Sequence, residues 1–188
     1  MKKDELLKLL NNVSEEENTT STFNKHSKVL LVDGLNLFLR NFAVMNYVNE
    51  KNVHIGGLVG FLRSLAYYIN TIQPTSVYVV FDGEGSATNR KNLLPEYKSN
   101  RNISRMTNWE VFKSLEEENE SKSDQIVRLT HYLRCLPIHA TAIDKVEADD
   151  IIAYLSNKIT KKPNTHAYIV SADKDFLQLV NDQITVYR

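Results

Sequence analysis

Residues 28–34 read Lys28-Val29-Leu30-Leu31-Val32-Asp33-Gly34. Four consecutive aliphatic side chains leave no polar face, which marks a strand covered on both sides in a parallel sheet. The pattern returns as Val77-Tyr78-Val79-Val80-Phe81 before Asp82-Gly83, and as Ala167-Tyr168-Ile169-Val170 before Ser171-Ala172-Asp173. It returns more weakly from Ile138 to Ile143 before Asp144, and Ile184 to Tyr187 forms a further candidate strand. Helical stripes lie between them: Leu58, Leu62, Leu65, Ile69, Ile72; Ile126, Leu129, Leu133, Leu136; and Ala148, Ile151, Ile152, Leu155, Ile159. Gln73-Pro74-Thr75 and Lys162-Pro163-Asn164 break the chain before strands. Strand and helix alternating in this way predict an α/β domain with a central, mainly parallel sheet and helices on both faces.

The 188 residues suffice for one domain with a core. Lys plus Arg equals Asp plus Glu, 23 each, so net charge does not identify a partner. Cys135 is the only cysteine, which excludes an intramolecular disulfide and suits a reducing cytosol. No run approaches the roughly 18 apolar residues of a membrane span, and the start is too acidic for a signal peptide. A cytoplasmic location is expected, with no membrane partner.

Residues 1–27 read as a polar N-terminal tail, with Leu6, Leu7, Leu9 and Leu10 as a possible docking helix. Residues 28–188 form the expected domain. About forty polar residues, 83–122, interrupt its rhythm. An insertion of that length in a compact domain is functional or disordered.

Ligands of open parallel sheets bind beyond the carboxyl ends of the strands. Asp33, Asp82 and Asp173 each follow a strand pattern there. Glu147-Ala148-Asp149-Asp150 opens the third helical stripe, where Glu147 and Asp150, three apart, can share a face. Asp175 adds another acid. Each has a structural alternative, since Asp caps helices and acids favour helix N-termini. Four clusters converging on one rim point instead to a cation that offsets their repulsion. Oxygen donors without a His or Cys pattern select magnesium or manganese over zinc, and no EF-hand spacing supports calcium.

Within the insertion, Arg90, Lys91, Lys98, Arg101 and Arg105 outnumber Glu96 and Glu110, and Tyr97 and Trp109 interleave with them. Cationic side chains grip phosphates and aromatic rings stack on unpaired bases. The alternative is a solvated charged helix. The run Glu116-Glu117-Glu118 reads as solvated surface.

Leu30-Leu31-Val32-Asp33-Gly34, with Asn36 and Arg40, resembles the first metal motif of the 5′-nuclease (flap endonuclease) superfamily. Val79-Val80-Phe81-Asp82-Gly83, with Arg90 and Tyr97-Lys98-Ser99-Asn100-Arg101, resembles the second motif and the start of its helical arch. Val146 to Ile152 is similar to the third motif, and Val170 to Leu179 to the fourth. Asn108-Trp109-Glu110 looks more like the T-even phage ribonuclease H branch than the nuclease domain of bacterial DNA polymerase I.

The resemblance implies a three-layer PIN-like fold and metal-dependent cleavage of DNA flaps, 5′ ends or RNA–DNA hybrids, leaving 5′-phosphates. It implies that Asp33, Asp82, Glu147, Asp150, Asp173 and Asp175 hold metal, with Asp149 a further contributor. It implies that Lys98 and Arg101 engage the scissile phosphate, with Arg90, Tyr97 and Arg105 along the substrate. Two Mg2+ or Mn2+ ions are implied for a full-length enzyme, with a single-strand-binding or clamp protein as partner. The family's helix–turn–helix module, which adds acids for the second metal, is not found before Arg188. The chain is therefore expected to be a fragment or a short form, binding one metal well and duplex DNA poorly.

Two other functions compete. A non-catalytic nucleic-acid or replisome module would retain the fold, and a PIN-type ribonuclease would act on single-stranded RNA. His26, His54, His131, His139 and His166 lack metal spacing and read as structural. Gly56-Gly57 opens a helix, and Tyr67-Tyr68 reads as packing.

Overall fold

The computed structural model describes residues 27–86 and 106–188. Residues 1–26 of the tail, together with Arg90, Tyr97, Lys98, Arg101 and Arg105, lie outside the described residues, and Ser27 already belongs to the first strand. In chain order the elements are β1 (Ser27–Asp33), α1 (Gly34–Val44), α2 (Gly56–Ile72), β2 (Ser76–Asp82), α3 (Leu115–Arg134), β3 (His139–Ile143), α4 (Ala148–Ile159), β4 (Thr165–Val170), a 3-10 helix (Lys174–Leu179) and β5 (Ile184–Tyr187).

The five strands form one sheet in the order β3-β2-β1-β4-β5, and every pairing is parallel. The run 29–32 explains the centre: Val29 to Val32 are all buried, because alternate side chains enter opposite layers. Leu30 and Val32 join Phe38, Phe42, Phe61, Leu65, Leu129 and Leu133 under α1, α2 and α3. Val29 and Leu31 join Ile151, Ile152, Ile169 and Phe176 under α4 and the 3-10 helix. Each buried Leu, Ile or Phe contributes roughly 1.5–3 kcal/mol by leaving water. β3 lies at the edge, four of its five residues exposed, which accounts for its weak sequence pattern.

Close backbone approach fixes two glycines. A Cβ on Gly83 would lie 1.8 Å from the Ile143 carbonyl oxygen, and one on Gly56 1.6 Å from that of Met45. Helix α2 has no side-chain cap of its own. Gln125 of α3 supplies one, its Oε1 accepting from the Leu58 N–H at 3.0 Å. No helix of the described residues is long and apolar enough to cross a membrane.

Several expectations need correction. Helix α3 starts at Leu115, inside the range expected for the insertion, because Ser114 caps it through the Glu117 N–H at 3.2 Å. It ends at Arg134, leaving Leu136 exposed beyond the stripe. Glu118 is not solvated but fully buried, since α3 turns it inward to bond Thr107 and Asn108. Glu147 is the residue before α4, buried at 2 % exposure, while Asp150 on the first turn is exposed, so the two do not share one environment. Tyr67 is exposed, its ring edge against Tyr68, which alone packs on the core.

Candidate functional site

The carboxyl ends of β1, β2 and β4 form one rim of the sheet, with Asp33 level with Val80 and Val32 with Val170. Asp33 closes β1 and caps α1: its Oδ1 accepts from the Asn36 N–H at 3.1 Å. Its Oδ2 accepts from Ser171 Oγ at 3.0 Å. Ser171 Oγ in turn accepts from the Asp173 N–H at 3.1 Å, and Asn36 Oδ1 accepts from the Ala172 N–H at 2.9 Å. These bonds tie the ends of β1 and β4 together, so Asp33 and Asp173 occupy a shared corner.

Asp82 ends β2. Its Oδ1 accepts from the Ala148 N–H at 2.8 Å, supplying the cap of α4 that the Glu147 side chain does not. Gly83 donates to the Val146 carbonyl at 3.2 Å and Lys145 to that of Glu84 at 2.8 Å, holding the loop before α4 against the start of the insertion. Asp173 caps the 3-10 helix through the Asp175 N–H at 3.0 Å. The capping alternative is thus realised at Asp33, Asp82 and Asp173, and it does not exhaust them. A cap bond occupies one carboxylate oxygen and leaves acceptor capacity on the other.

Burial pushes the Asp33 carboxyl above its ordinary range. The bonds from Asn36 and Ser171 oppose that, and the charges of Asp82 and Asp149 add to it. The charges of Asp82 and Asp149 therefore both reach Asp33, and a cation beside Asp33 would offset them. Asp149 accepts from the Asp150 N–H at 2.9 Å at the start of α4. Among the described residues no three Asp, Glu, His or Cys side chains stand close enough together to cage a metal ion. The expected single cluster of all seven acids is thus not assembled. Asp82 and Asp149 reach Asp33 through their charges, Asp173 is joined to Asp33 through Ser171, and Asp150 and Asp175 are exposed. The donor set is all oxygen and fits a hard divalent cation.

Asn36 and Ser171 were visible only as parts of motifs. Their position beside strand ends was the available signal, since Ser and Asn there bond neighbouring backbone. A cavity of about 370 Å³ between α3 and β3 includes Asp82 in its wall.

The comparisons with known proteins agree with this geometry. Residues 28–188 match the family model for the 5′-3′ exonuclease N-terminal resolvase-like domain. The chain is 29% identical over 167 residues to a 5′-3′ exonuclease of Mycoplasmopsis pulmonis, covering 89% of this chain and 50% of that protein. It is 30% identical over 163 residues to DNA polymerase I of Bacillus subtilis, covering 86% of this chain and 17% of the polymerase. The chain thus spans half or less of these relatives. Among solved structures, a flap endonuclease of bacteriophage T5, in a pseudo-enzyme–product complex with DNA and metal ions, superposes with a TM-score of 0.66 at 20% identity, covering 85% of this chain and 54% of that one. The same phage's 5′-exonuclease with bound zinc gives 0.65 at 21%, over 85% and 54%. At such identities the likeness is one of fold. The likeness to the ribonuclease H branch rests on Asn108-Trp109-Glu110 alone. With 161 of its residues matched and the strand order, rim acids and superpositions in accord, the chain belongs to the 5′-3′ exonuclease N-terminal resolvase-like family.

Proposed function

We propose that this chain is the nuclease part of a metal-dependent 5′ nuclease, hydrolysing phosphodiesters of DNA flaps, forks or 5′ ends, or of RNA–DNA hybrids, to 5′-phosphate products. The observation that carries the reading is the Asp33 carboxylate. It is half-buried at a strand end, oriented by Asn36 and Ser171, and raised first by its desolvation and further by the charges of Asp82 and Asp149. A cation bound there would stabilise the charged form of such a carboxyl.

Asp33, Asp82, Glu147, Asp149, Asp150, Asp173 and Asp175 are the proposed donors to one or two cations, and they would have to draw closer together around an ion than they stand without one. A divalent ion, magnesium or manganese, supplies activation of the attacking water and neutralisation of charge at the phosphate. Ser171 and Asn36 keep Asp33 aimed, and Asp82, by capping α4, fixes where that helix presents Asp149. Lys98 and Arg101 of the insertion are the proposed stabilisers of charge on the phosphate. Arg90, Tyr97 and Arg105 are proposed contacts along the strand. A clamp or single-strand-binding partner and a cytoplasmic setting rest on the family resemblance.

The test is cleavage of a 5′-flap DNA in Mg2+ or Mn2+ by the protein and by Asp173→Asn/Asp175→Asn. The wild type should cut and the double variant should lose most of the rate. Wild-type rate in the double variant, or binding of forked DNA with no cutting in Mn2+ at long times, would overturn the proposal. Faster cutting of single-stranded RNA than of flap DNA would favour a PIN-type ribonuclease.

A further inference from the structure

We propose that Trp109 is a stacking platform for an unpaired base of a single-stranded nucleic acid. The substrate class rests on the nuclease reading; the platform rests on geometry of its own.

Trp109 is the only tryptophan of the chain, and it is 71 % exposed. Its neighbours are fixed. Asn108, 4 % exposed, donates from Nδ2 to Asn46 Oδ1 at 2.9 Å and to the Phe42 carbonyl at 3.4 Å. Its N–H donates to Glu118 at 3.1 Å, beside two donors of Thr107. The N–H groups of Val111 and Phe112 turn back to the Asn108 carbonyl at 3.2 and 3.1 Å. Phe112 stacks on Phe42 at 5.6 Å between centroids, and Glu110 accepts from Asn46 Nδ2 at 3.2 Å. A rigid frame therefore holds one large ring out into solvent.

An indole presents one of the largest apolar faces of any side chain, and it gives up only two torsions on binding. Base stacking exploits both properties and needs no particular sequence. Lys113, four positions along the chain, carries positive charge that the backbone of such a strand can use. The location sets the role. Asn108 docks at the far end of α1 from Asp33, and eleven residues of helix span roughly 16 Å. Trp109 would thus grip a base remote from the reacting phosphate and act on binding more than on chemistry.

The test uses the full chain and an oligothymidylate strand in EDTA, where no cutting occurs. Trp109 emission, read selectively, should be quenched along the same curve as the anisotropy of a labelled strand. Trp109→Ala should weaken binding roughly 5- to 150-fold, the range that stacking of one base supplies, while Trp109→Phe keeps much of the affinity. In the flap assay, Trp109→Ala should raise KM more than it lowers kcat. Binding without quenching, alanine-variant affinity equal to wild type, or no binding by the wild type would each overturn the proposal. So would an emission blue-shift that grows with protein concentration alone, which would place the ring against a second copy. Quenching without metal-dependent cleavage would sink the nuclease reading and leave the platform; cleavage without quenching would do the reverse.

Discussion

Glu118 and Thr107 are joined by three hydrogen bonds, from Thr107 Oγ1 at 2.7 Å and from its N–H at 2.9 and 3.1 Å, around a carboxylate with no exposed surface. The Asn108 N–H and the Lys122 ammonium complete the cage. Burial pushes this carboxyl up, but the bonds from Lys122, Thr107 and Asn108 outweigh it and hold the group below its usual value. Glu118→Gln removes the charge and turns an amide N–H₂ toward donors. It should cost about 2–3 kcal/mol, the worth of charge-assisted bonds lost in a buried site. Denaturant unfolding measures it, and a loss below about 0.5 kcal/mol would show that the clamp adds little. The wild-type contribution is present above pH 4.5 and fades as pH falls through the lower folded value, so the variant's deficit should shrink in acid.

Ser171→Ala removes the 3.0 Å bond to Asp33 Oδ2 and the acceptor for the Asp173 N–H. Asp33 is already raised by burial, and losing a donor raises it further. A less oriented carboxylate that holds its proton more tightly should lower Mn2+ affinity about tenfold, as loss of an outer-shell partner typically does. The acid limb of any cleavage profile should move to higher pH. Calorimetric titration with Mn2+ decides the matter: unchanged affinity would mean that Ser171 only fastens the strands.

His54 is neutral by construction. Its Nε2 lies 2.8 Å from the Met45 carbonyl and must donate to it, so Nδ1 accepts from Gln125 Nε2 at 3.2 Å. Gln125 cannot turn over, because its Oε1 caps Leu58 and its Nε2 also donates to the His54 carbonyl at 2.9 Å. Burial lowers the imidazole below its ordinary 6.5, against the Met45 bond and the Glu118 charge. Unfolded chains therefore bind a proton that the fold refuses. Stability should be full above pH 6.5 and fall as pH drops below it toward the lower folded value, by at most about 1.4 kcal/mol per pH unit for one proton. His54→Gln should flatten that slope while losing ring contacts with Phe42 and Phe112. An equal slope in the variant would exclude His54 as its source.

These predictions divide by what a linear reading can see. Val29 to Val32 are apolar on both faces because both layers bury them, so the central strand was legible. The rim acids followed, since a strand's direction fixes where its end lies. Glu118 was not legible: its burial depends on Thr107, which reaches it from outside α3, and a run of three glutamates hides that partner. Gln125 and His54 were obscured likewise, because their network joins α2, α3 and the loop between α1 and α2. The corner at Asp33 shows the intermediate case. The acid was evident, whereas its support by Ser171 spans 138 positions of sequence.

Gly83→Ala tests how tightly Asp82 is aimed. The new methyl would meet the Ile143 carbonyl oxygen at 1.8 Å and its carbon at 2.3 Å. Both are backbone atoms of β3, so no side chain can turn aside. Either β3 moves outward or the residue after Asp82 shifts, breaking the 3.2 Å bond from the Gly83 N–H to Val146. The cost should be about 1–3 kcal/mol, as for other overpacked sites. β3 is an edge strand paired within the sheet to β2 alone and can yield, which favours the lower part of that range. Asp82, however, is covalently joined to the displaced atom and bonded at 2.8 Å to Ala148. Activity assayed well below the unfolding midpoint should therefore fall further than the folded fraction does, with weaker Mn2+ binding alongside. If cleavage and metal affinity simply track the folded population, β3 absorbs the clash and the aim of Asp82 does not depend on Gly83.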